Sequence, residues 1–207
     1  FIYLILALLT TYVIRRNPKH LIAGLSFILV FTTYRVWMTN LDHPQESVIF
    51  YNVRNCPAVH FTSSTGKSWL AYADTLPDQK RLTRTVSNYW NRLRLSAPVV
   101  VTGDYQDAHI IRLGNLLSFN NKRVCIVNDN YFERMKADMP FAIDYAYVCK
   151  GYTGKIKQLA TVFAMKQIVF DASLPEYRRM AFQEECKLLG IPCISVSEQS
   201  SYFKSTF

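Results

Sequence analysis

The sequence predicts an α/β protein preceded by two membrane helices, and three observations carry that expectation. Residues 1–39 hold two apolar runs, FIYLILALLTTYVI and LIAGLSFILVFTTYRVWMT, separated by RRNPKH and without an acidic residue anywhere in the stretch. Beyond residue 46, short runs rich in β-branched and aromatic residues dominate. Helical patterns separate the later runs, the arrangement that connects neighbouring strands across a layered α/β or α+β sandwich.

In chain order, the first apolar run begins at Phe1 without an initiator Met, which reads as the end of a longer membrane bundle. The second, residues 21–39, would rise about 28 Å as a helix, close to the roughly 30 Å of bilayer hydrocarbon. Arg35 can snorkel to the interface beside Tyr34 and Trp37. A cleaved signal peptide fits less well, because the charges follow the first apolar run instead of preceding it. Arg15, Arg16 and Lys19 hold the intervening loop in the cytoplasm, which puts residues 45–207 on the far side of the membrane. The expected division is therefore 1–39 for the membrane helices, 40–47 for a polar linker containing Pro44, and 48–207 for the folded domain.

Within that domain SVIFYNV, AVHFT, KSWLAYAD, APVVVT, AHIIRL, KRVCIVN, IDYAYVC, QIVFD and IPCISVS read as strands. Helical patterns lie near 77–95, 130–138, 153–164 and 174–189. In the third of these, Ile156, Leu159, Ala160 and Phe163 share a face and Thr153 is available as N-cap. In the fourth, Ser173 and Glu176 have capping-box spacing with Pro175 in the first turn, and Gly190 ends the helix before Pro192.

From residue 45 onward 20 Lys and Arg face 14 Asp and Glu, a balance that suits an anionic partner such as nucleic acid or a lipid surface. Five cysteines without a C-x-x-C pairing do not make a disulfide framework, although Cys186 and Cys193 are close in sequence. The loop KGYTGK, residues 150–155, ends in Gly-Lys before a helix. A phosphate-binding P-loop would need glycine at Cys149 and Ser or Thr at Ile156, so nucleotide binding is excluded. A looser anion site remains open, with Lys150 and Lys155 beside a helix N-terminus; an ordinary turn with solvated lysines is the plainer account.

Beyond the linker, only His60 and His109 remain as histidines, each alone on an apolar strand, and no nucleophile elbow is present. No catalytic residue, metal or cofactor is expected. The basic signal is stronger in PDQKRLTRTVSNYWNRLRL. There Leu82, Val86, Tyr89 and Leu93 share one face, Lys80 and Arg84 project opposite, Arg81 and Arg92 flank them, and no acid interrupts 79–95. Lys80, Arg81, Arg84, Arg92, Lys150 and Lys155 are the candidate DNA-binding residues, against the alternative of a solvated face.

The order of these features resembles a known family. Apolar N-terminal helices, then VIFYNVRNCPAVHFTSSTGKSWLAYAD, then IDYAYVCKGYTGKIKQLATVFAMKQIVFDASLPEYRRMAFQEECKLLGIPCISVSEQSSYF, resemble the C-terminal part of ComEC-type competence proteins. Members of that family are DNA-uptake channels of the bacterial inner membrane that carry a metallo-β-lactamase-like αββα domain. The resemblance implies such a domain here in degenerate form. Asn52, Asn55 and Pro57 stand where polar and acidic residues fall in the family, Lys150 and Gly151 stand where ligands would be, and the central H-x-H-x-D-H motif has no counterpart.

The implied role is a metal-free module that guides single-stranded DNA or assembles with other competence proteins on the periplasmic or extracellular side. Membrane attachment would run through residues 1–39. The alternatives are a hydrolase with atypical ligands, drawn from His60, Asp74, His109 and Asp129, and a membrane-anchored scaffold that never touches DNA.

Overall fold

The computed structural model describes residues 10, 18–41, 44–74, 78–93, 95–198 and 202–207. The chain divides into two compact units, residues 1–43 and 44–207. In the first, helix α1 spans Pro18–Leu41. The first expected membrane helix falls on residues 1–14, almost wholly outside the described residues. The second is overturned: α1 forms, but no helix among the described residues is long and apolar enough to cross a membrane. Thr32, Thr33, Tyr34 and Arg35 interrupt its apolar run, and the Thr32 and Thr33 hydroxyls fall back on the carbonyls of Ile28 and Leu29. The expected fold class, with two membrane helices ahead of the domain, is therefore corrected. The orientation drawn from Arg15, Arg16 and Lys19 loses its basis with it.

The second unit contains two mixed sheets. One has the order β12-β1-β2-β3-β4, built from β1 (Ser47–Tyr51), β2 (Ala58–Thr62), β3 (Ser68–Tyr72), β4 (Val99–Val101) and β12 (Tyr202–Thr206). The other has the order β11-β10-β9-β8-β7-β6-β5. Its strands are β5 (Tyr105–Gln106), β6 (Ile110–Leu113), β7 (Leu116–Phe119), β8 (Lys122–Val127), β9 (Phe141–Val148), β10 (Phe163–Phe170) and β11 (Cys193–Ser195). The helices are α2 (Gln79–Arg92), α3 (Ile156–Val162) and α4 (Glu176–Leu189), with 3-10 turns at Tyr131–Arg134 and Val196–Glu198.

Hairpins make the antiparallel part of the seven-stranded sheet; in the five-stranded one they join β1, β2 and β3, and β12 returns from the far end of the chain to pair antiparallel with β1. Three parallel pairs are joined by a helix, β3 with β4 through α2, β9 with β10 through α3, and β10 with β11 through α4; the fourth, β8 with β9, is joined through the 3-10 turn Tyr131–Arg134.

The apolar runs of β1, β2, β3, β8 and β9 are continuous because the sheets are covered on both faces there, whereas β4 and β6 keep exposed residues. In β1 every residue is buried. Val48 and Phe50 face the other sheet, where the Phe50 ring lies 5.0 Å from that of Tyr147, while Ile49 and Tyr51 face α2 with Leu82 and Val86. The second sheet repeats the arrangement. Val124, Ile126 and Tyr147 turn inward, while Cys125, Val148 and Phe170 pack outward against Ile156, Leu159 and Phe182 of α3 and α4.

Three local expectations are corrected. The helix near 130–138 shrinks to the 3-10 turn Tyr131–Arg134, because the chain must extend again before Pro140 to enter β9. Thr153 does not cap α3: Lys155 occupies that position, and Thr153 instead exchanges hydrogen bonds with Asn130 at 2.6 and 2.8 Å. Ser173 makes no capping box on α4, whose N-cap is Pro175; the Ser173 amide donates to Asp171 at 2.8 Å. The helix does end at Gly190, whose φ of 67° is the left-handed conformation glycine adopts without strain.

Candidate functional site

Strands β3, β4, β8, β9 and β10 end at one edge of the sandwich, where open α/β sheets place their ligand sites. The segments that follow β3, β4 and β8, with the start of α2 and with Arg112 of β6, enclose a cleft of about 390 Å³ lined by Ala73, Asp74, Gln79, Thr102, Arg112 and Asn128, among others. The cleft is tied together across the sheets: Asn128 Nδ2 donates to the Ala73 carbonyl at 2.6 Å, and Asn115 Nδ2 to Asn128 Oδ1 at 3.4 Å.

Arg112 supplies the other brace. Its Nε, Nη1 and Nη2 donate to the carbonyls of Gly114, Val101 and Tyr72, and burial lowers its pKa. A guanidinium spent on backbone carbonyls is a strut, not an anion receptor. Asp74 stands at the rim; partial burial raises its pKa, and the charge of Lys150 opposes that shift.

Behind this edge sits a buried carboxyl group, Asp171, at 1% exposure. It accepts from the Tyr147 hydroxyl and from the Ser173 amide, and burial raises its pKa against those two hydrogen bonds. The thiols of Cys56 and Cys149 sense the same negative field. Burial pushes Cys56 up to about 11 and Cys149 well above the ordinary thiol value, so both are protonated near neutrality and neither is a ready nucleophile or ligand. Among the described residues no three His, Cys, Asp or Glu side chains come together as a metal site would require.

The four ligands of the hydrolase alternative are dispersed. His60 is fully buried between its sheet and α2, where Nδ1 lies 2.6 Å from the Tyr51 hydroxyl, which in turn accepts from Trp90 Nε1 at 2.8 Å. Burial lowers its pKa to about 3, so it is a neutral packing group. His109 rests against Trp69 at the start of β3, with ring centroids 5.6 Å apart, whereas Asp74 lies beyond the end of the same strand. Asp129 caps its own turn, accepting from the Tyr131 amide at 3.0 Å. These residues share no centre.

The KGYTGK loop is explained by packing. A Cβ on Gly151 would lie 1.8 Å from the carbonyl oxygen of Asn128, and one on Gly154 would lie 2.7 Å from the Tyr152 hydroxyl. Both glycines are there for close approach. The amides at the start of α3 already have an anion: Glu185 Oε2 accepts from Ile156 N at 2.7 Å and from Lys157 N at 3.4 Å. Lys150 and Lys155 are exposed at opposite ends of the loop.

On α2 the candidate residues sort differently. Asp78 caps the helix by accepting from the Arg81 amide at 3.0 Å. Leu82 and Val86 are buried, while Lys80, Arg81, Arg84 and Arg92 are exposed. Tyr89 packs on Tyr202 and Trp90 on His60, at 4.6 and 5.6 Å between centroids, so both aromatics are spent on the core. Gln79 lines the cleft, which brings the Lys80–Arg84 end of α2 to the edge where Lys150 and Asp74 meet. Arg92 lies at the far end of the helix. Sequence reasoning missed Arg112 and Asp171; the first looks like an ordinary strand arginine, and the isolation of Asp171 at the end of the apolar run QIVFD was its only signal.

No curated protein and no solved structure matches the chain, so the likeness to metallo-β-lactamases has no support from a known fold. A family model does match: the ComEC C-terminal domain, over residues 48–205, most of the chain and nearly all of the second unit. That family sets the chain in the context of competence and DNA uptake and suggests association with a membrane. On that match the chain belongs to the ComEC C-terminal domain family.

Proposed function

We propose that residues 48–205 serve DNA uptake as a module that binds and guides single-stranded DNA without cutting it and without a metal. The observation that carries this reading is the exposed face of α2. Lys80, Arg81 and Arg84 form no ion pair among the described residues, while the apolar face of the same helix is locked into the core. Phosphates laid along that face would meet Lys150 at the neighbouring edge. The reading is supported by family membership and by the dispersal of His60, Asp74, His109 and Asp129. Affinity would come from phosphate contacts alone, since Tyr89 and Trp90 are committed to packing and nothing presents a base-reading element.

The test is binding of a labelled single strand across a salt series. Contact with about four phosphates predicts a slope of log affinity against log salt near −3, at roughly −0.7 per contact. Replacing Lys80, Arg81 and Arg84 by Gln should flatten that slope with the fold intact. An unchanged slope, or no binding by the parent at low salt, would reject the guiding role in favour of a scaffold that does not touch DNA.

A further inference from the structure

We propose that Cys186 and Cys193 are a redox-active pair whose disulfide clasps the end of α4 to β11, the edge strand of the seven-stranded sheet. Cys186 lies on the buried face of α4 and Cys193 is the first residue of β11, packed against the same apolar cluster. Both thiols are free in this structure, and both side chains reach that one cluster, Cys186 from the helix and Cys193 from the strand.

The segment between them is already folded for closure. Gly190 reverses the chain in its left-handed conformation, the Ile191 amide donates to the Cys186 carbonyl at 3.0 Å, and the Ile168 amide fixes the Pro192 carbonyl at 2.9 Å. A bond between the two sulfurs would therefore close a turn whose backbone is already fixed. The other three cysteines are buried. Cys193 alone is partly exposed, so it is the thiol a reagent reaches first.

The chemistry balances with a small-molecule disulfide such as oxidised glutathione as oxidant. The Cys193 thiolate attacks one sulfur of that disulfide, forming a mixed disulfide and releasing one thiolate. Cys186 then gives up its proton and attacks the Cys193 sulfur, closing the intramolecular bond and releasing the second small thiol. Two protein thiols are oxidised and one disulfide is reduced to two thiols. Burial and the neighbouring Cys193 hold Cys186 up at about 12, so the second step should quicken as pH rises.

The experiment treats the full chain with oxidised glutathione, unfolds it in an alkylating agent and maps the peptides. The expected product is a single link between Cys186 and Cys193, with Cys56, Cys125 and Cys149 alkylated. It should be accompanied by a melting temperature several degrees higher that dithiothreitol reverses. Cys193→Ser, a change at a partly exposed site, should abolish the link and leave Cys186 alkylated. The proposal is overturned if oxidation stops at a glutathione adduct on Cys193, if the link involves any other cysteine, or if all five thiols remain alkylated. The mapping of the unsubstituted chain decides the matter even if the variant folds poorly.

Discussion

Two basic stretches, 150–155 and 79–92, look equally suited to anions in the sequence and differ completely in what the fold does with them. In KGYTGK the features that suggest a phosphate cradle are consumed internally: the glycines admit the Asn128 carbonyl and the Tyr152 ring, and the α3 amides hold Glu185. In α2 the internal demands are met by the opposite face, through Leu82, Val86, Tyr89 and Trp90, and Lys80, Arg81 and Arg84 form no ion pair among the described residues. A charged residue near a helix start says little by itself. What matters is whether the polar groups beside it already have partners.

The largest expected effect tests the packed side of that contrast. Gly151→Ala puts a methyl into the backbone of Asn128 and should cost about 3 kcal/mol or more in urea unfolding, through overpacking that no rotamer relieves. A loss below about 1 kcal/mol would mean that the loop is free to move, and the comparison would fail.

The second tests what lies under α2. The folded pKa of His60 is depressed to about 3 from an ordinary 6.5. Between those values the unfolded chain holds a proton that the folded chain does not. The stability contributed by neutral His60 is therefore complete above about pH 6.5 and is lost as pH falls toward 3, by about 1.4 kcal/mol per pH unit within that window. Subtracting the acid titration of His60→Gln from that of the parent should isolate this slope. Superimposable curves would show that the imidazole is hydrated.

A smaller effect is expected at Glu185. Removing it as Glu185→Ala strips the buried start of α3 of its acceptor and should cost about 1–2 kcal/mol. Inorganic phosphate should not restore that stability, because the loop is a turn. Rescue by millimolar phosphate would make it an anion cradle occupied by a carboxylate, and the two stretches would then be alike. Smallest of all, the Lys80, Arg81 and Arg84 to Gln triple variant should shift the denaturation midpoint by no more than about 0.5 kcal/mol equivalent, as exposed substitutions do. A larger loss would show that those bases support the fold.

Much of the fold is written in local patterns. All nine runs read as strands contain one, most clearly where two covered faces demand continuous apolar residues, as in β1, β2 and β3, and α2 and α4 are marked by period and by their stops. The strands that escaped, β5, β7 and β12, are short or only partly buried, so Leu116–Phe119 between Gly114 and Asn120 looks like a loop. The end of the 153–164 pattern was misread because Phe163 is apolar at a helical spacing, yet it begins β10. The membrane expectation failed on composition: counting apolar residues in 21–39 gave too little weight to the polar block from Thr32 to Arg35. In the site, the exposed bases of α2 were legible, since their helix is amphipathic. The bonds of Asp171 to Tyr147, Arg112 to Tyr72 and Glu185 to Ile156 were not, because each joins segments far apart in sequence and no spacing encodes it.

Strand β12 has a further consequence. It pairs antiparallel with β1 from Ser47 opposite Thr206 to Tyr51 opposite Tyr202, and the Phe207 amide reaches the Glu46 carbonyl at 3.2 Å. The place where the chain enters the domain and the place where it leaves are thus side by side. During synthesis the first strand made must wait, one edge open, for nearly the last residues of the domain before its hydrogen bonds are complete, so assembly depends on a contact of the longest range and is expected to be slow. The same adjacency makes the domain a cassette. It can be lifted from a longer polypeptide, or its ends joined and the chain reopened at an exposed turn such as Asn120–Asn121, without disturbing the layers between.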